Sequence, residues 1–211
     1  MTLSLLSLEQ LSKALSDSPS HEALFQTLSQ YEDEAALLFN DNQISGDANL
    51  LSAFYSSFLI SHLLTNQLHE ARAATHRLPQ TLVASDAVLQ NTIALLRAVW
   101  QHKPSEVYRI LRHLPWPEPV NIIIRKYEAY YTEKSFGEIS RAFEAIRPDV
   151  AAEYLGLDPS SNVVEALTQK GWTWDAQAQL LRPNLPTEPV KLDGQRTNGI
   201  PRLVGLVNKA S

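Results

Sequence analysis

The chain has 211 residues, 44% of them hydrophobic, and 23 Asp and Glu against 18 Lys and Arg give it a net charge of −5. It contains no cysteine, which excludes disulfides, thiolate catalysis and zinc–thiolate sites. The excess of acid disfavours a protein that covers nucleic-acid phosphates, and no apolar run approaches the roughly 20 residues that cross a bilayer. We expect a cytoplasmic and nuclear protein that makes no membrane contact.

Residues 1–133 predict a right-handed helical-repeat arm. Within them, residues 68–79 align without a gap on residues 104–115 at a spacing of 36, and a helical pattern precedes each segment. Two helices per unit, with a proline closing the second, are typical of tetratricopeptide-like repeats. Two units are too few for a stable array, so further helices are predicted to cover its ends. These flanking helices are predicted at residues 3–15, 22–39 and 120–133.

Residues 134–183 predict a winged helix, in which three helices precede a β-hairpin. Ser135 and Glu138 have the spacing of a capping box at the start of the first helix. Pro148 suits the first position of the second helix, and Gly156 can end it as a left-handed cap. The spacing of the apolar residues predicts that one face of this second helix is buried. That face consists of Val150, Ala151, Tyr154 and Leu155.

The third helix is predicted at residues 159–170, with Asp158 as its N-cap and Gly171 at its end. Residues 172–174 then alternate large apolar and β-branched side chains, which favours a strand. A second strand at 179–182 can pair with it across a four-residue turn. This pattern predicts a mainly α fold in which the helical-repeat arm is followed by the winged helix.

Residues 184–211 predict an extended tail that is rich in proline and glycine. A short helix is possible at residues 200–208, where one apolar cluster occurs. We expect this cluster to be the point at which the tail contacts a partner. Its members are Ile200, Leu203, Val204, Leu206 and Val207.

No pattern in the sequence predicts an enzyme, a metal site or a bound cofactor. His69-Glu70 begins like a metalloprotease motif, but Ala73 stands where the second histidine is required. His62 and His76 lie seven residues on either side of His69, a distance of about 10 Å along a helix and too far for two ligands of one ion. We therefore expect no catalytic residues, no metal, no cofactor and no small-molecule substrate.

A winged helix can bind DNA or join proteins, and the predicted third helix favours joining. It carries Glu165 against Lys170 and has no arginine, whereas a helix that binds the major groove uses Arg or Lys for phosphates and bases. Direct nucleic-acid binding is therefore not expected, although a winged-helix nucleic-acid binder remains the alternative from another functional class.

Three short motifs resemble the PCI-domain family, whose members combine a helical-repeat arm with a winged helix. They are AAEYLGL at residues 151–157, VEALTQKGW at 164–172 and LRP at 181–183. PCI proteins build the proteasome lid, eukaryotic initiation factor three and the signalosome that acts on cullins. The motifs and the chain length are most similar to the small PCI subunits of the signalosome.

The resemblance implies a non-catalytic scaffold that supports removal of Nedd8 from cullins and so regulates cullin-RING ubiquitin ligases. The alternative within the family is a small subunit of the proteasome lid or of initiation factor three. The expected partners are other PCI subunits, which join through their winged helices, where an edge strand can pair with a neighbour. The candidate interface residues are Trp172, Trp174, Leu180 and Leu181. The tryptophans can instead cover the domain's own core, and pairing through the backbone is compatible with either arrangement.

Overall fold

Helices form most of the chain, as the sequence predicts. The computed structural model describes residues 6–37, 39–40, 43–44, 47–158 and 162–184. The helices are α1 (Leu8–Asp17), α2 (His21–Gln30), α3 (Glu32–Leu37), α4 (Ala48–Leu64), α5 (Leu68–Thr75), α6 (Gln80–Ser85), α7 (Ala87–Trp100), α8 (Pro104–His113), α9 (Val120–Ala142), α10 (Pro148–Leu155) and α11 (Val163–Gln169). Two antiparallel hairpins accompany them, β1 (Phe39–Asn40) with β2 (Gln43–Ile44) and β3 (Thr173–Asp175) with β4 (Leu180–Arg182). No helix in these ranges is both long and apolar enough to span a membrane.

The turn between α4 and α5 has the same backbone geometry as the turn between α7 and α8. Asn66 and His102, which are 36 residues apart, both have left-handed φ angles, of 60° and 51°. The N–H groups of Gln67 and Lys103 each donate to the carbonyl five residues earlier, at 2.7 and 3.0 Å. This bond closes the carboxyl end of a helix. The two turns thus correspond at the spacing that the sequence alignment indicates.

The prediction of one helix over residues 22–39 was wrong, because the chain divides there into α2 and α3. Tyr31 caps the end of α2. The next three residues, Glu32, Asp33 and Glu34, form the first turn of α3. Negative side chains stabilise the positive end of the helix dipole, which favours a new helix start at this point.

The helix start predicted at Ser135 was also wrong, since α9 runs without interruption from Val120 to Ala142. Ser135 lies inside α9 and is buried, and no proline interrupts the helix before or after it. A capping-box spacing inside a continuous helical pattern has no free N–H groups to satisfy. The predicted boundary between residues 133 and 134 therefore falls within this helix.

Two hydrophobic cores lie along the chain, and α9 contributes to both. The larger core surrounds α4, whose residues are buried from Leu50 to Leu64. Ile123, Ile124 and Tyr127, from the first half of α9, belong to this core. The smaller core contains Ile139, from the second half of α9, together with residues of α10, α11 and the second hairpin. Because one rigid helix enters both cores, the arm and the C-terminal subdomain (residues 134–184) are fixed to each other.

A second connection joins α8 of the arm to α10 of the C-terminal subdomain. Gly156 ends α10 in the left-handed conformation, with φ 59° and ψ 33°, as the sequence predicts. Its carbonyl accepts a hydrogen bond from Arg112, whose guanidinium also pairs with Glu128 at 2.6 Å. Arg112 lies over the ring of Tyr108, and that ring leaves no room for a side chain at Gly156. The glycine therefore serves both the helix end and the packing between subdomains.

The α10 face and the start of α11 differ from the sequence-based predictions. Ala151, Ala152 and Leu155 are buried, whereas Tyr154 is exposed. Helix α11 begins at Val163, and its N-cap is Asn162, not Asp158. The Asn162 side chain accepts a hydrogen bond from the Glu165 N–H at 3.2 Å and donates one to the Glu165 carboxylate at 3.0 Å, which caps the helix at this position. The predicted helix at 200–208 and its apolar cluster lie outside the described residues.

Candidate subunit interface

The hairpin of the C-terminal subdomain is extended by a residue that the sequence does not predict as part of a sheet. Leu181 in β4 pairs with Trp174 in β3 and, on its other side, with Ile146. The N–H and carbonyl groups of Ile146 and Leu181 bond reciprocally at 2.8 Å. The inner edge of β4 is therefore occupied within the chain. The sequence signal for an extended segment at this point is Pro148, because a proline disfavours a helical conformation in the residue before it.

The outer edge of β3 presents the backbone of Trp174. In an antiparallel pair, the N–H and carbonyl of one residue point to the same side, and successive residues point to opposite sides. The N–H and carbonyl of Leu181 both bond to Ile146. Leu181 and Trp174 therefore form a cross-strand pair without hydrogen bonds between their backbones. Thr173 and Asp175 consequently bond to β4, and Trp174 directs its N–H and carbonyl away from it. This is the edge at which a strand of another protein can add.

The four candidate interface side chains divide into buried and accessible ones. Trp172 is 3% exposed and Leu181 is 0% exposed, so both side chains lie in the smaller core of the chain itself. Trp174 is 37% exposed, and Leu180 is half-buried. Trp174 lies opposite Leu181 on the same face of the hairpin, but at its outer edge. Only Trp174 and Leu180 therefore offer side-chain surface to a partner.

Trp172 is held in the core by contacts from α9. Its indole N–H donates to Ser140 Oγ at 3.1 Å, and its ring stacks on Phe136 with centroids 5.6 Å apart. Its backbone N–H donates to the carbonyl of Leu167 at the end of α11. A tryptophan with a satisfied indole N–H and a stacked ring is a structural anchor of its own domain. The alternative in which a tryptophan covers the domain's own core is the one observed for Trp172.

The hairpin turn is held in place by the carboxylate of Asp175. This carboxylate accepts hydrogen bonds from the N–H groups of Gln177 and Ala178 at 3.1 and 3.0 Å, and it pairs with Arg182 at 3.3 Å. The bond from Ala178 and the contact with Arg182 lower the pKa of Asp175. These bonds fix the turn, so the outer edge of β3 is presented by an ordered hairpin.

Comparison with known proteins identifies the family. A family model described as the CSN8/PSMD8/EIF3K family matches residues 49–191. The chain belongs to this family. The match covers most of the arm and the whole hairpin, which agrees with the resemblance found in the three sequence motifs.

Curated relatives of this family member carry the name of one subunit. A protein of Emericella nidulans named COP9 signalosome complex subunit 8 is 43% identical over 99% of this chain and 98% of its own length. A protein of the same name from Xenopus laevis is 26% identical over 63% of this chain and 67% of its own length. A third, from Dictyostelium discoideum, is 24% identical over 66% of this chain and 70% of its own length.

The three histidines that the sequence spaces seven residues apart do not converge in this CSN8/PSMD8/EIF3K family member. His62 is on α4, His69 is on α5, and His76 caps the end of α5. The ring of His69 meets Trp100 edge to face, with centroids 5.1 Å apart. In the described part of the chain, no group of three or more His, Asp or Glu side chains could hold a metal ion.

His62 is a buried histidine inside an aromatic cluster. Its ring lies 4.8 Å from the rings of both Phe25 and Phe58. Its Nδ1 is bonded to Gln67, and its Nε2 has no partner among the described residues. Burial lowers the pKa of His62 below the ordinary value of 6.5, and the bond to Gln67 and the charge of Glu32 oppose this effect only partly. Folding therefore disfavours the protonated form of this histidine.

We expect the free energy of unfolding to fall as the pH drops from about 7.5 to 5.5. The unfolded chain gains the His62 proton near pH 6.5, whereas the folded chain gains it only at lower pH, so acid favours unfolding in this window. The variant His62→Gln should lose less stability over the same range in urea titrations at both pH values. His113→Gln removes an exposed histidine as a control. Equal losses in the wild type and His62→Gln would contradict the prediction.

Proposed function

We propose that the chain is a non-catalytic scaffold subunit of the signalosome. The observation that carries the proposal is the 43% identity, over nearly both full lengths, to a relative named COP9 signalosome complex subunit 8. In this role the chain joins neighbouring PCI subunits and so supports removal of Nedd8 from cullins by the complex, in the cytoplasm and the nucleus. It needs no cofactor, no small-molecule substrate and no direct contact with nucleic acid.

The proposed means of joining is a PCI architecture, with a tetratricopeptide-like arm and a winged helix. The repeated turn at Asn66 and His102 supports the helical repeat. The C-terminal subdomain contains three helical segments, namely the second half of α9, then α10 and α11, and the hairpin follows them. This order supports the winged helix. The outer edge of β3 is then the surface that meets the neighbour. The tail residues 200–208 remain a second predicted contact.

Small PCI subunits of the proteasome lid or of initiation factor three are the second candidate, because the description of the family names all three branches. The three curated relatives reported above all carry the signalosome name, which favours the first candidate. Co-purification of the tagged chain from its own cells, followed by mass spectrometry, tests the choice. We expect the other signalosome subunits. Recovery of lid or initiation-factor subunits in their place would overturn it.

Trp174→Pro tests whether the backbone edge of β3 is the joint. Proline removes the outward N–H of Trp174 but none of the bonds between β3 and β4, and strand-edge positions tolerate it. We expect assembly with the neighbouring subunit to weaken roughly tenfold, since the partner's carbonyl loses its donor at a cost of about 1–3 kcal/mol. Binding of the purified variant to the remaining subunits, measured by surface plasmon resonance, gives the value.

Two matched variants separate the loss of the backbone N–H from loss of the side chain and from damage to the hairpin. Trp174→Ala keeps the N–H and removes the side chain, so it separates side-chain contact from backbone pairing. Thr173→Pro removes an N–H that bonds inside the hairpin, so it should lower the free energy of unfolding more than Trp174→Pro does. Normal assembly of Trp174→Pro would refute pairing at this edge while leaving signalosome membership intact.

A further inference from the structure

A cleft between α5 and α7 combines an apolar floor with a basic rim. Its volume is about 300 Å³, and no Asp or Glu is among the residues that line it. The floor consists of Ile93, Leu96 and Trp100, one stripe of α7, and the rim carries Arg72, His76 and Arg97. Leu96 is buried, whereas Ile93 and Trp100 are half-buried and keep apolar surface at the cleft.

Contacts inside the chain hold the Trp100 ring in place. The Arg72 guanidinium lies over this ring at 4.9 Å from its centroid, and His69 meets it edge to face. A guanidinium above an aromatic ring keeps its N–H groups available at its edges for a carboxylate. The cleft thus presents a fixed aromatic surface beside the oriented guanidinium group of Arg72.

Arg72 and Arg97 differ from most arginines in the part of the chain that the structure describes, because neither pairs with a carboxylate there. Five of the nine described arginines form ion pairs, namely Arg77–Glu32, Arg109–Glu106, Arg112–Glu128, Arg147–Asp149 and Arg182–Asp175. Arg125 and Arg141 are the other described arginines outside these pairs, but neither of them lines the cleft. Two exposed guanidinium groups at one apolar cleft therefore point to carboxylates supplied by another molecule.

We propose that this cleft binds an acidic peptide segment of a partner protein. One apolar side chain of the peptide lies on the floor formed by Ile93, Leu96 and Trp100, and flanking carboxylates pair with Arg72 and Arg97. A volume of about 300 Å³ is at the small end of ligand sites and suits one or two side chains. Arginine binds carboxylates through two parallel N–H bonds, which fixes the direction of the peptide. The net charge of −5 disfavours nucleic acid as the occupant.

The test uses the full-length protein and a fluorescein-labelled peptide of sequence Asp-Asp-Leu-Glu-Glu, with binding followed by fluorescence anisotropy. Arg72→Glu and Arg97→Glu should each weaken binding about tenfold or more. Arg125→Glu is the matched control, because Arg125 is exposed, lies outside the cleft and meets no carboxylate among the described residues. It should change the affinity less than about twofold. Thermal unfolding of each variant confirms that the fold is retained.

Two further probes define the chemistry of the occupant. The peptide Lys-Lys-Leu-Lys-Lys should bind the double variant Arg72→Glu/Arg97→Glu better than it binds the wild type, and replacing the leucine by serine should weaken the acidic peptide. No binding of the acidic peptide at about 1 mM would overturn the proposal. So would equal losses in Arg125→Glu, or tighter binding of an oligouridylate than of the peptide. Because the cleft is on the arm, failure here leaves the hairpin-edge prediction and the proposed function untouched.

Discussion

Replacing Gly156 by alanine should lower the free energy of unfolding by roughly 2–5 kcal/mol. Two effects add at this position. The backbone has a φ of 59°, which costs an L-residue about 1–2 kcal/mol, and the added methyl group would overlap the ring of Tyr108. Forcing an atom into a packed contact costs about 1–3 kcal/mol more. Chemical denaturation of the full-length protein measures the sum.

Gly171→Ala is the matched control for this change. Gly171 has a φ of 94°, but a methyl group there would meet nothing within 4 Å. Only the backbone cost of about 1–2 kcal/mol should therefore appear. In a double-mutant cycle, Tyr108→Ala should remove the steric part of the Gly156→Ala effect, giving a coupling of about 1–3 kcal/mol. Equal costs at the two glycines, with no coupling to Tyr108, would contradict the predicted ring contact.

Trp172→Ala should lower the free energy of unfolding about as much as Gly156→Ala does, by roughly 3–5 kcal/mol. The side chain is 3% exposed, stacks on Phe136 and bonds to Ser140, so truncation leaves a cavity in the smaller core. Urea titration gives the free energy of unfolding.

Two variants separate the packing of Trp172 from its hydrogen bond. Trp172→Phe keeps an aromatic ring against Phe136 but leaves Ser140 Oγ without its donor, at a cost of about 1–3 kcal/mol. Adding Ser140→Ala should recover part of that cost. Trp174→Ala should cost clearly less than Trp172→Ala, because the Trp174 side chain is 37% exposed. A similar loss at both tryptophans would mean that the two rings do not differ in burial.

These expectations change how assembly experiments on the hairpin should be interpreted. A Trp172 variant that fails to join its neighbours reports a damaged core and does not identify a contact residue. Trp174→Pro compared with Trp174→Ala is the informative pair, because both variants lose the side chain and only the proline also removes the outward N–H. The same distinction applies to Leu181, which is completely buried, and to Leu180, which is only half-buried.

Much of the local structure could be predicted because it depends on neighbouring residues. Pro148 begins α10 and Gly156 ends it in the left-handed conformation, as expected from their backbone preferences. The hairpin pairs residues 173–175 with 180–182, within one residue of the predicted strands. The turns at Asn66 and His102 correspond at the spacing found by alignment. Each of these features is decided by energies within a few residues of chain.

The errors arise where distant residues decide the outcome. Ser135 and Glu138 have the spacing of a helix start, but packing on both cores keeps α9 continuous. Local rules allow both a helix start and a continuous helix at Ser135, and only the tertiary contacts distinguish them.

The candidate sites show the same division. The sequence by itself determined the helical class, the hairpin, the absence of thiol chemistry and the motifs that resemble the PCI family. Only the tertiary structure decided that Trp172 is buried while Trp174 is partly exposed, and that Arg72 and Arg97 meet at one cleft. The physical reason is that backbone preferences act over one or two turns. Burial, by contrast, is set by side chains that approach from far along the chain.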